Sequence, residues 1–244
     1  MKEVLITIIS VSYNCVNDVK KTIKSLENQT YKEFEYLVID GNSSDGTVEK
    51  VREYQHLFNN MTVISEPDSG IYDAMNKGAS KANGKYIFFL NFGDCFYDES
   101  VLESIANEMK SNADIYYGDI EKDGNVVTQK NKATLFNCIY REYMICHQSI
   151  FAKRELIRKY PFDLQYKLCA DRDWLIKVLQ GKHNIEYVNK TICRYDTTGQ
   201  SSNPQKFMQE SKLVSTKYGG KKAEVVMLVK HNLSNIIKSN KRKE

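Results

Sequence analysis

Three short polar segments of this 244-residue chain carry side chains that are suited to chemistry. Each follows an apolar stretch, and they are Ser12-Tyr13-Asn14, Asp40 to Asp45 and Asn91 to Asp94. Hydroxyl, amide and carboxylate groups can contact a nucleotide, and a carboxylate can hold a divalent metal between phosphates. Each segment alone is equally typical of a turn or a helix cap. Whether the three segments form a binding site or are only turns and caps depends on whether the preceding elements bring them together.

The apolar stretches before these segments have the pattern of buried parallel strands. Residues 4–12 are rich in β-branched side chains and almost continuously apolar, which is typical of a strand covered by helices on both faces. Further strands are predicted at 34–40, 61–65 and 86–90, with helices between the strands. Asn17 is predicted to cap the first of these helices. This alternation predicts a mostly parallel α/β sheet, in which ligands bind at the carboxyl ends of the strands. All three polar segments fall at such ends.

The second half of the chain departs from this alternation. Residues 114–120 and 126–129 flank the turn Asp123-Gly124-Asn125 and predict a β-hairpin added to the sheet. A helix is predicted at 171–179, a strand at 185–188 and a long helix from Gln205 onward. We therefore expect a domain over residues 1–204, with halves 1–94 and 95–204, followed by a helical tail over 205–244.

The composition argues against several classes of protein. A formal net charge of +4 is too small for a polyanion binder, so no nucleic-acid partner is expected. The six cysteines are scattered without a CxxC pair, which favours reduced thiols over a zinc site. The apolar run over residues 4–11 is too short for a signal peptide or a membrane span. We expect a cytoplasmic location, with the inner face of the plasma membrane as a further option.

Four segments together support a family resemblance. They are TIISVSYN at 7–14, SLENQTY at 25–31, VIDGNSSDGT at 38–47 and SGIYDAMNKG at 69–78. Over residues 1–200, approximately, the chain resembles family-2 glycosyltransferases of the GT-A fold, in particular bacterial enzymes of cell-surface polysaccharide and O-antigen synthesis. The resemblance implies a Rossmann-like three-layer sandwich with a mostly parallel central sheet, and a UDP-sugar donor.

Candidate residues for binding the nucleotide sugar come from the strand ends, from the loop before the predicted helix at 72–82 and from that helix itself. They are Ser12, Tyr13, Asn14, Asp40, Ser43, Asp68, Lys77, Asn91 and Gly93. In the family, the fourth strand ends in a metal-binding motif that often carries two carboxylates. Here Gly93 stands in place of the first, so the resemblance assigns Mn²⁺ or Mg²⁺ to Asp94. One or two protein carboxylates suffice for such an ion when phosphates also bind it.

The resemblance also implies a general base. Residues 168–174 (LCADRDW) resemble a family segment at the start of a helix in which an aspartate deprotonates the acceptor. Matched residue by residue, that aspartate is Asp171, and Asp173 is the alternative. The alternative is that Asp171 only caps the helix, although capping and catalysis are compatible. His147 belongs to a segment common in this subgroup and is an accessory candidate.

The implied function is inverting transfer of a hexose or N-acetylhexosamine from a UDP-sugar to a saccharide acceptor. The acceptor is expected in O-antigen, capsule or exopolysaccharide synthesis, with a polyprenyl-diphosphate-linked saccharide as one option. The alternative is a nucleotide-sugar-binding scaffold without turnover, because Gly93 and Ala170 stand where the family often has acids. A Rossmann oxidoreductase is disfavoured because no GxGxxG follows the first strand. Nucleotidyl transfer is disfavoured because no Gly-rich basic phosphate loop follows that strand either.

Two segments near the end of the chain carry further predictions. Gly199-Gln200-Ser201-Ser202 resembles a loop that closes over the donor, or is a plain surface turn. The tail combines lysines with apolar residues at near-helical spacing, namely Val226, Val229, Leu233, Ile236 and Ile237. Such a basic amphipathic helix is typical of peripheral contact with an anionic membrane. Packing of the tail on the domain is the other possibility, and both stay open.

Overall fold

The computed structural model describes residues 4–141, 144–195 and 204–240. The strands are β1 (Ile6–Ser12), β2 (Phe34–Asp40), β3 (Met61–Ser65), β4 (Tyr86–Phe89), β5 (Cys95–Phe96), β6 (Ile115–Lys122), β7 (Asn125–Val127), β8 (Ile150–Lys153) and β9 (Ile185–Tyr195). The α-helices are α1 (Val19–Glu27), α2 (Thr47–Glu53), α3 (Ile71–Lys81), α4 (Val101–Glu108), α5 (Arg154–Lys159), α6 (Ala170–Gln180) and α7 (Pro204–Asn240). A 3₁₀ turn, His147–Ser149, precedes β8.

One sheet in the order β3-β2-β1-β4-β8-β6-β9-β5 forms the centre of the molecule, and β7 pairs with β6. The strands β3, β2, β1 and β4 are mutually parallel. Beyond β4 the sheet is mixed, since β8 is antiparallel to both of its neighbours and β6 is parallel to β9. The expected α/β fold with a mostly parallel first half and an added hairpin is confirmed.

Alternate side chains of the strands pack against helices on opposite faces of the sheet, which makes three layers. On one face, Ile8 and Phe88 join apolar residues of α1, α2 and α4. On the other face, Ile9 and Phe89 join apolar residues of α3, α5, α6 and α7. Burial on both faces explains why the sequence of β1 is apolar throughout rather than alternating.

Some details differ from the sequence predictions. The residue at the start of α1 is Asp18 rather than Asn17, and its side chain makes no capping bond. The N-cap of α6 is Cys169, so Asp171 lies inside the first turn and does not cap the helix. The strand predicted at 185–188 continues to Tyr195 because β9 pairs along the length of β6.

The long helix α7 contains a break at Gly220, where φ is 59° and ψ is −154°. Before the break, Val214 is fully buried in the core, and Ala223 is buried just after it. The proposed division of the chain at residue 204 stays a prediction, although this part of α7 contributes to the core. Within the described residues, no helix is both long and apolar enough to cross a bilayer.

Candidate active site

A cleft of about 1220 Å³ opens at the carboxyl ends of β1, β2 and β4. Eight of the residues predicted for the site line it, namely Ser12, Tyr13, Asn14, Asp68, Asn91, Asp94, His147 and Asp171. The parallel strands end at the same edge of the sheet, which is why segments far apart in sequence meet here. The far wall comes from the β6–β7 hairpin, the start of α6 and Phe207 of α7.

Asp40 lies beneath the cleft rather than on its surface. Its carboxylate accepts hydrogen bonds from Ser12 Oγ at 2.8 Å, from Ser65 Oγ at 2.7 Å, and from Ser43 N and Oγ at 2.8 and 2.5 Å. Burial alone would raise the pKa of Asp40, but these hydrogen bonds outweigh it and lower the pKa. Asp40 and Ser43 therefore fix the loop after β2, and contact of Asp40 with a nucleotide stays a prediction.

The loops after β1 and β2 are tied to each other. Asn14 N donates to Ser43 Oγ at 2.9 Å, and Ser44 N donates to Asn14 Oδ1 at 2.9 Å. These bonds hold Asn14 in the left-handed region, with φ of 48°. Tyr13, which is 59% exposed, is thereby presented at the cleft, where an aromatic ring can stack on a base.

Asp68, in the loop between β3 and α3, and Lys77, within α3, have different positions. Asp68 lines the cleft and accepts a hydrogen bond from Gly70 N at 2.8 Å. A Cβ atom on Gly41 would lie 2.5 Å from Asp68 Oδ2, so a larger residue at position 41 would displace the Asp68 carboxylate from this position. Lys77 Nζ donates to the Pro67 carbonyl at 2.6 Å and lies 3.4 Å from Glu66 Oε1. Its predicted phosphate contact would require Nζ to leave these partners.

The segment Asn91 to Asp94 turns sharply after β4. Gly93 has a φ of 101°, and Thr22 Oγ1 fixes the turn by accepting from Gly93 N at 2.9 Å and donating to Asp94 O at 2.8 Å. Asp94 is 4% exposed and lines the cleft beside Asn91, whose buried Oδ1 has no partner among the described residues.

The oxygen ligands at this turn fit a divalent cation that is shared with phosphates. Asp94 supplies one carboxylate and Asn91 an unsatisfied amide oxygen, which are the ligand types that Mg²⁺ and Mn²⁺ prefer. The described part of the chain contains no cluster of three or more His, Cys, Asp or Glu residues suited to a metal. An ion held here would therefore depend on further ligands from a bound diphosphate.

Asp171 and His147 face each other in the cleft. His147 Nδ1 lies 3.0 Å from Asp171 Oδ2, and Asp171 Oδ1 accepts from Arg172 N at 2.8 Å. Burial and the Asp171 carboxylate raise the pKa of Tyr72, which lies against Asp171 from α3. Burial also raises the pKa of the Cys146 thiol to about 12, with added contributions from the charges of Asp94 and Asp171. Asp94, predicted to hold the metal, and Asp171, predicted as the base, thus line the same cleft.

Asp173, the alternative base, is fully buried and does not line the cleft. Its carboxylate lies 2.7 Å from Lys177 Nζ, and it accepts from Lys217 Nζ and Tyr218 Oη, each at 2.8 Å. These contacts join α6 to α7. The geometry assigns Asp173 to a structural ion-pair cluster.

Three supporting residues were not predicted from the sequence. Glu210 of α7 accepts from the backbone N–H groups of residues 167–169 at 2.7 to 3.2 Å, and so holds the chain just before Asp171. Thr22 braces the turn at Gly93, and Tyr72 lies against Asp171. Tyr72 falls in a recognised segment, but Thr22 and Glu210 lie in ordinary helical patterns that carry no such signal. The predicted loop 199–202 lies outside the described residues.

Comparisons with known proteins agree with this geometry. The model of Glycosyl transferase family 2 matches residues 7–171. A PGL/p-HBAD biosynthesis glycosyltransferase of Mycobacterium bovis (strain BCG / Pasteur 1173P2) is 27% identical over 204 residues, which cover 82% of this chain and 79% of that protein.

Solved structures show the same fold. TarS 1-349 of S. aureus in complex with UDP-GlcNAc aligns with a TM-score of 0.71 and 18% identity over 86% of this chain. The chain spans only 65% of that structure and 39% of another TarS structure. The mannosyltransferase PcManGT of Pyrobaculum calidifontis, in complex with GDP-Man and Mn2+, aligns with a TM-score of 0.61 and 17% identity, covering 92% of this chain and 73% of that one.

The family match covers more than half of the chain, and it includes the strand-end loops, the turn at Asp94 and the start of α6. The Mycobacterium bovis relative is named a glycosyltransferase, and so is a relative from Methanocaldococcus jannaschii that is 25% identical over 210 residues, which cover 80% of this chain and 71% of that protein. The protein therefore belongs to glycosyl transferase family 2 and is a glycosyltransferase enzyme.

Proposed function

We propose that the protein transfers a hexose or N-acetylhexosamine from a UDP-sugar to a hydroxyl of an acceptor saccharide, with inversion at C1. The observation that carries this proposal is the presence of Asp94 and Asp171 in a single cleft with the loops after β1 and β2. TarS has been solved with UDP and with UDP-GlcNAc, which supports a uridine nucleotide as donor. PcManGT has been solved with GDP-Man instead, so the donors tested should include GDP-sugars.

In the proposed reaction, Tyr13 and the backbone of Ser12 to Asn14 hold the nucleotide. Asp171 accepts the proton of the acceptor hydroxyl while the acceptor oxygen bonds to C1 and the bond from C1 to the diphosphate oxygen breaks. Asp94 and Asn91 would hold a divalent cation, which supplies positive charge to a diphosphate leaving group. Asp68, which lines the cleft, would accept hydrogen bonds from the donor sugar.

We further propose that the acceptor belongs to cell-surface polysaccharide synthesis, such as O-antigen, capsule or exopolysaccharide, and that it is linked to a polyprenyl diphosphate. A lipid-linked acceptor would place the enzyme at the inner face of the plasma membrane. Val225, Val226 and Val229 are exposed on α7 after the break at Gly220, and the adjacent Lys221 and Lys222 are exposed as well. This combination supports a peripheral contact with an anionic membrane.

The test is UDP release from a panel of UDP-sugars with a saccharide acceptor, measured with and without EDTA. We expect Asp171→Asn to lower kcat roughly 10²–10⁴-fold, because the variant lacks the proton acceptor. Asp94→Ala should reduce turnover and remove the dependence on added Mn²⁺ or Mg²⁺. Asp123→Asn is the matched control, since Asp123 lies in the exposed hairpin turn, where φ is 51° and asparagine is equally tolerated.

Full activity in Asp171→Asn would contradict the assignment of the base. Indifference to both EDTA and Asp94→Ala would contradict the metal role alone. Binding of UDP-sugars without any turnover, across donors and acceptors, would instead favour the scaffold alternative.

A further inference from the structure

We infer that His147 is a positioning residue, which donates its Nδ1–H to Asp171 and fixes the carboxylate as an ionised proton acceptor. The catalytic meaning of this inference rests on the proposed function, whereas the hydrogen bond itself does not. The two atoms lie 3.0 Å apart, and both side chains are about six-sevenths buried at the wall of the cleft. His147 comes from the turn before β8, and Asp171 from the first turn of α6.

The surroundings of the imidazole favour one tautomer. Nδ1 faces an oxygen of the Asp171 carboxylate, and an ionised carboxylate can only accept hydrogen bonds. A proton on Nδ1 therefore forms a hydrogen bond, whereas an unprotonated Nδ1 would place two acceptors face to face. Nε2 is buried and has no partner among the described residues. A buried N–H without an acceptor is costly, whereas an unprotonated nitrogen is less so. The neutral ring with hydrogen on Nδ1 satisfies both positions.

The other groups around Asp171 do not titrate near neutral pH. Tyr72 faces it from α3, and burial and the Asp171 charge raise the pKa of this phenol well above its usual value. Cys146, next to His147, has a pKa raised to about 12 by burial. The guanidinium of the adjacent Arg172 is permanently charged and donates to Cys138 O and to Ser211 and Ser215. Among these neighbours, His147 is the one whose tautomer decides whether a hydrogen bond to Asp171 Oδ2 forms.

This arrangement has a defined effect on the base. A hydrogen bond to the charged form of a carboxylate stabilises that form and selects one rotamer. The bonds from His147, from Arg172 N and from the Tyr72 hydroxyl occupy three of the roughly four lone-pair sites of the carboxylate, so a site remains for an acceptor hydroxyl. Loss of the His147 bond should therefore slow proton transfer more than it weakens donor binding.

The experiment compares His147→Phe, which removes the donor but keeps an aromatic ring, with His147→Asn, whose amide N–H₂ can replace Nδ1–H. We expect His147→Phe to lower kcat roughly 10- to 100-fold, with the KM for the UDP-sugar changed by less than about 3-fold. The position of the acid limb of its kcat/KM profile should differ from that of the wild type, because the carboxylate has lost a donor. His147→Asn should recover most of kcat and the position of the acid limb.

His183→Phe is the matched control. His183 Nδ1 lies 3.3 Å from Asp114 Oδ2, and its Nε2 is likewise buried without a partner in the described chain, but His183 does not line the cleft. The kcat and the pH profile of His183→Phe should equal those of the wild type. A wild-type pH profile and kcat in His147→Phe, or equal losses in His147→Phe and His147→Asn, would overturn the inference.

A second measurement separates this inference from the proposed function. In ¹⁵N NMR of the four histidines, His147 should carry its proton on Nδ1, and Asp171→Asn should shift that equilibrium. A proton on Nε2 in the wild type would overturn the inference whatever the enzyme transfers. Failure of the wild type to use any UDP-sugar would instead refute the proposed donor and leave the NMR result to decide the hydrogen bond.

Discussion

Gly93 adopts a φ of 101°, a region that side-chain-bearing residues rarely occupy, and its N–H donates to Thr22 Oγ1. The family often has a carboxylate at this position, and its absence first suggested a loss of function. The structure offers a conformational reason for glycine, since this sharp turn presents Asp94 and Asn91 to the cleft. The missing carboxylate is therefore a property of the turn, which a side-chain-bearing residue would strain.

Restoring the acid should consequently harm the protein. We expect Gly93→Asp to lower the free energy of unfolding by about 1–2 kcal/mol, because the backbone must stay at positive φ. Urea unfolding measures the loss, and Gly93→Ala is the control that adds the same strain without a charge. If Gly93→Asp matched the wild type in stability and bound Mn²⁺ more tightly in calorimetry, the conformational explanation would fail.

At the residue scale, local segments predicted the cleft well, and long-range partners were missed. Tyr13, Asn91 and Asp94 could be placed because each follows a strongly apolar strand whose end is readable. Asp40 follows such a strand too, but its position beneath the cleft depends on three serines, of which Ser12 and Ser65 lie on neighbouring strands. The contact of Glu210 with residues 167–169 joins segments more than forty positions apart, and no periodicity reports such a contact.

At the scale of elements, α6 and α7 are joined by buried polar contacts as well as by apolar packing. Asp173 of α6 is fully buried between Lys177 of the same helix and Lys217 and Tyr218 of α7. The charge of Asp173 makes both partners harder to deprotonate. Burial alone would lower the pKa of Lys217, but Asp173 outweighs it and raises that pKa, and burial and Asp173 together raise the pKa of Tyr218. The cluster therefore keeps the lysine charged and the tyrosine neutral.

Asp173→Asn should separate stability from catalysis. Removing the buried carboxylate leaves Lys177 without this counter-charge and Lys217 with only the longer contact to Asp163 at 3.6 Å, and water can reach both lysines. We therefore expect a loss of about 1–3 kcal/mol in unfolding free energy. The kcat of the remaining folded enzyme should stay within about 3-fold of the wild type, in contrast to Asp171→Asn. Chemical unfolding and kcat normalised to the folded fraction provide the two readouts. A stable but inactive Asp173→Asn would instead support Asp173 as the base.

The predictability of an element depended on how strongly its own sequence determines it. The predicted bounds of β2 and β3 agree with the structure because turn residues flank compact apolar runs. The short β5 and β8 were not predicted, since two and four residues carry too little pattern and their pairing with β9 and with β4 and β6 is non-local. For α7, the sequence left packing on the domain and membrane contact both open, because its hydrophobic pattern is irregular around Gly220.

At the scale of the whole molecule, α7 links the active site to an exposed apolar surface. Its first part contributes Glu210 to the segment before Asp171 and Val214 to the core. After Gly220, three exposed valines lie close together on the helix and form an apolar strip, namely Val225, Val226 and Val229. Lipid is the partner that an apolar helix with exposed lysines is suited to contact. Packing on the domain is thus observed for the first part of α7, whereas membrane contact of the part after Gly220 stays a proposal.

Replacing the three valines by serine should test this division. We expect the triple variant to lose flotation with vesicles that contain anionic lipid, because it retains the lysines but lacks the apolar area that enters the headgroup region. Its melting temperature and its turnover of a soluble acceptor should equal those of the wild type, since the valines are exposed. Leu164→Ser, which changes a residue that is 39% exposed on another part of the surface, is the control.

Vesicle composition makes the test specific. Wild-type flotation should weaken when anionic lipid is replaced by neutral lipid or when salt is raised, because screening reduces the attraction of the lysines. If the triple variant floats as well as the wild type, the membrane contact must lie elsewhere on the molecule. If the wild type fails to float on any vesicle, the proposal of a peripheral contact through α7 is refuted, and the strip would remain an apolar surface without a bilayer partner.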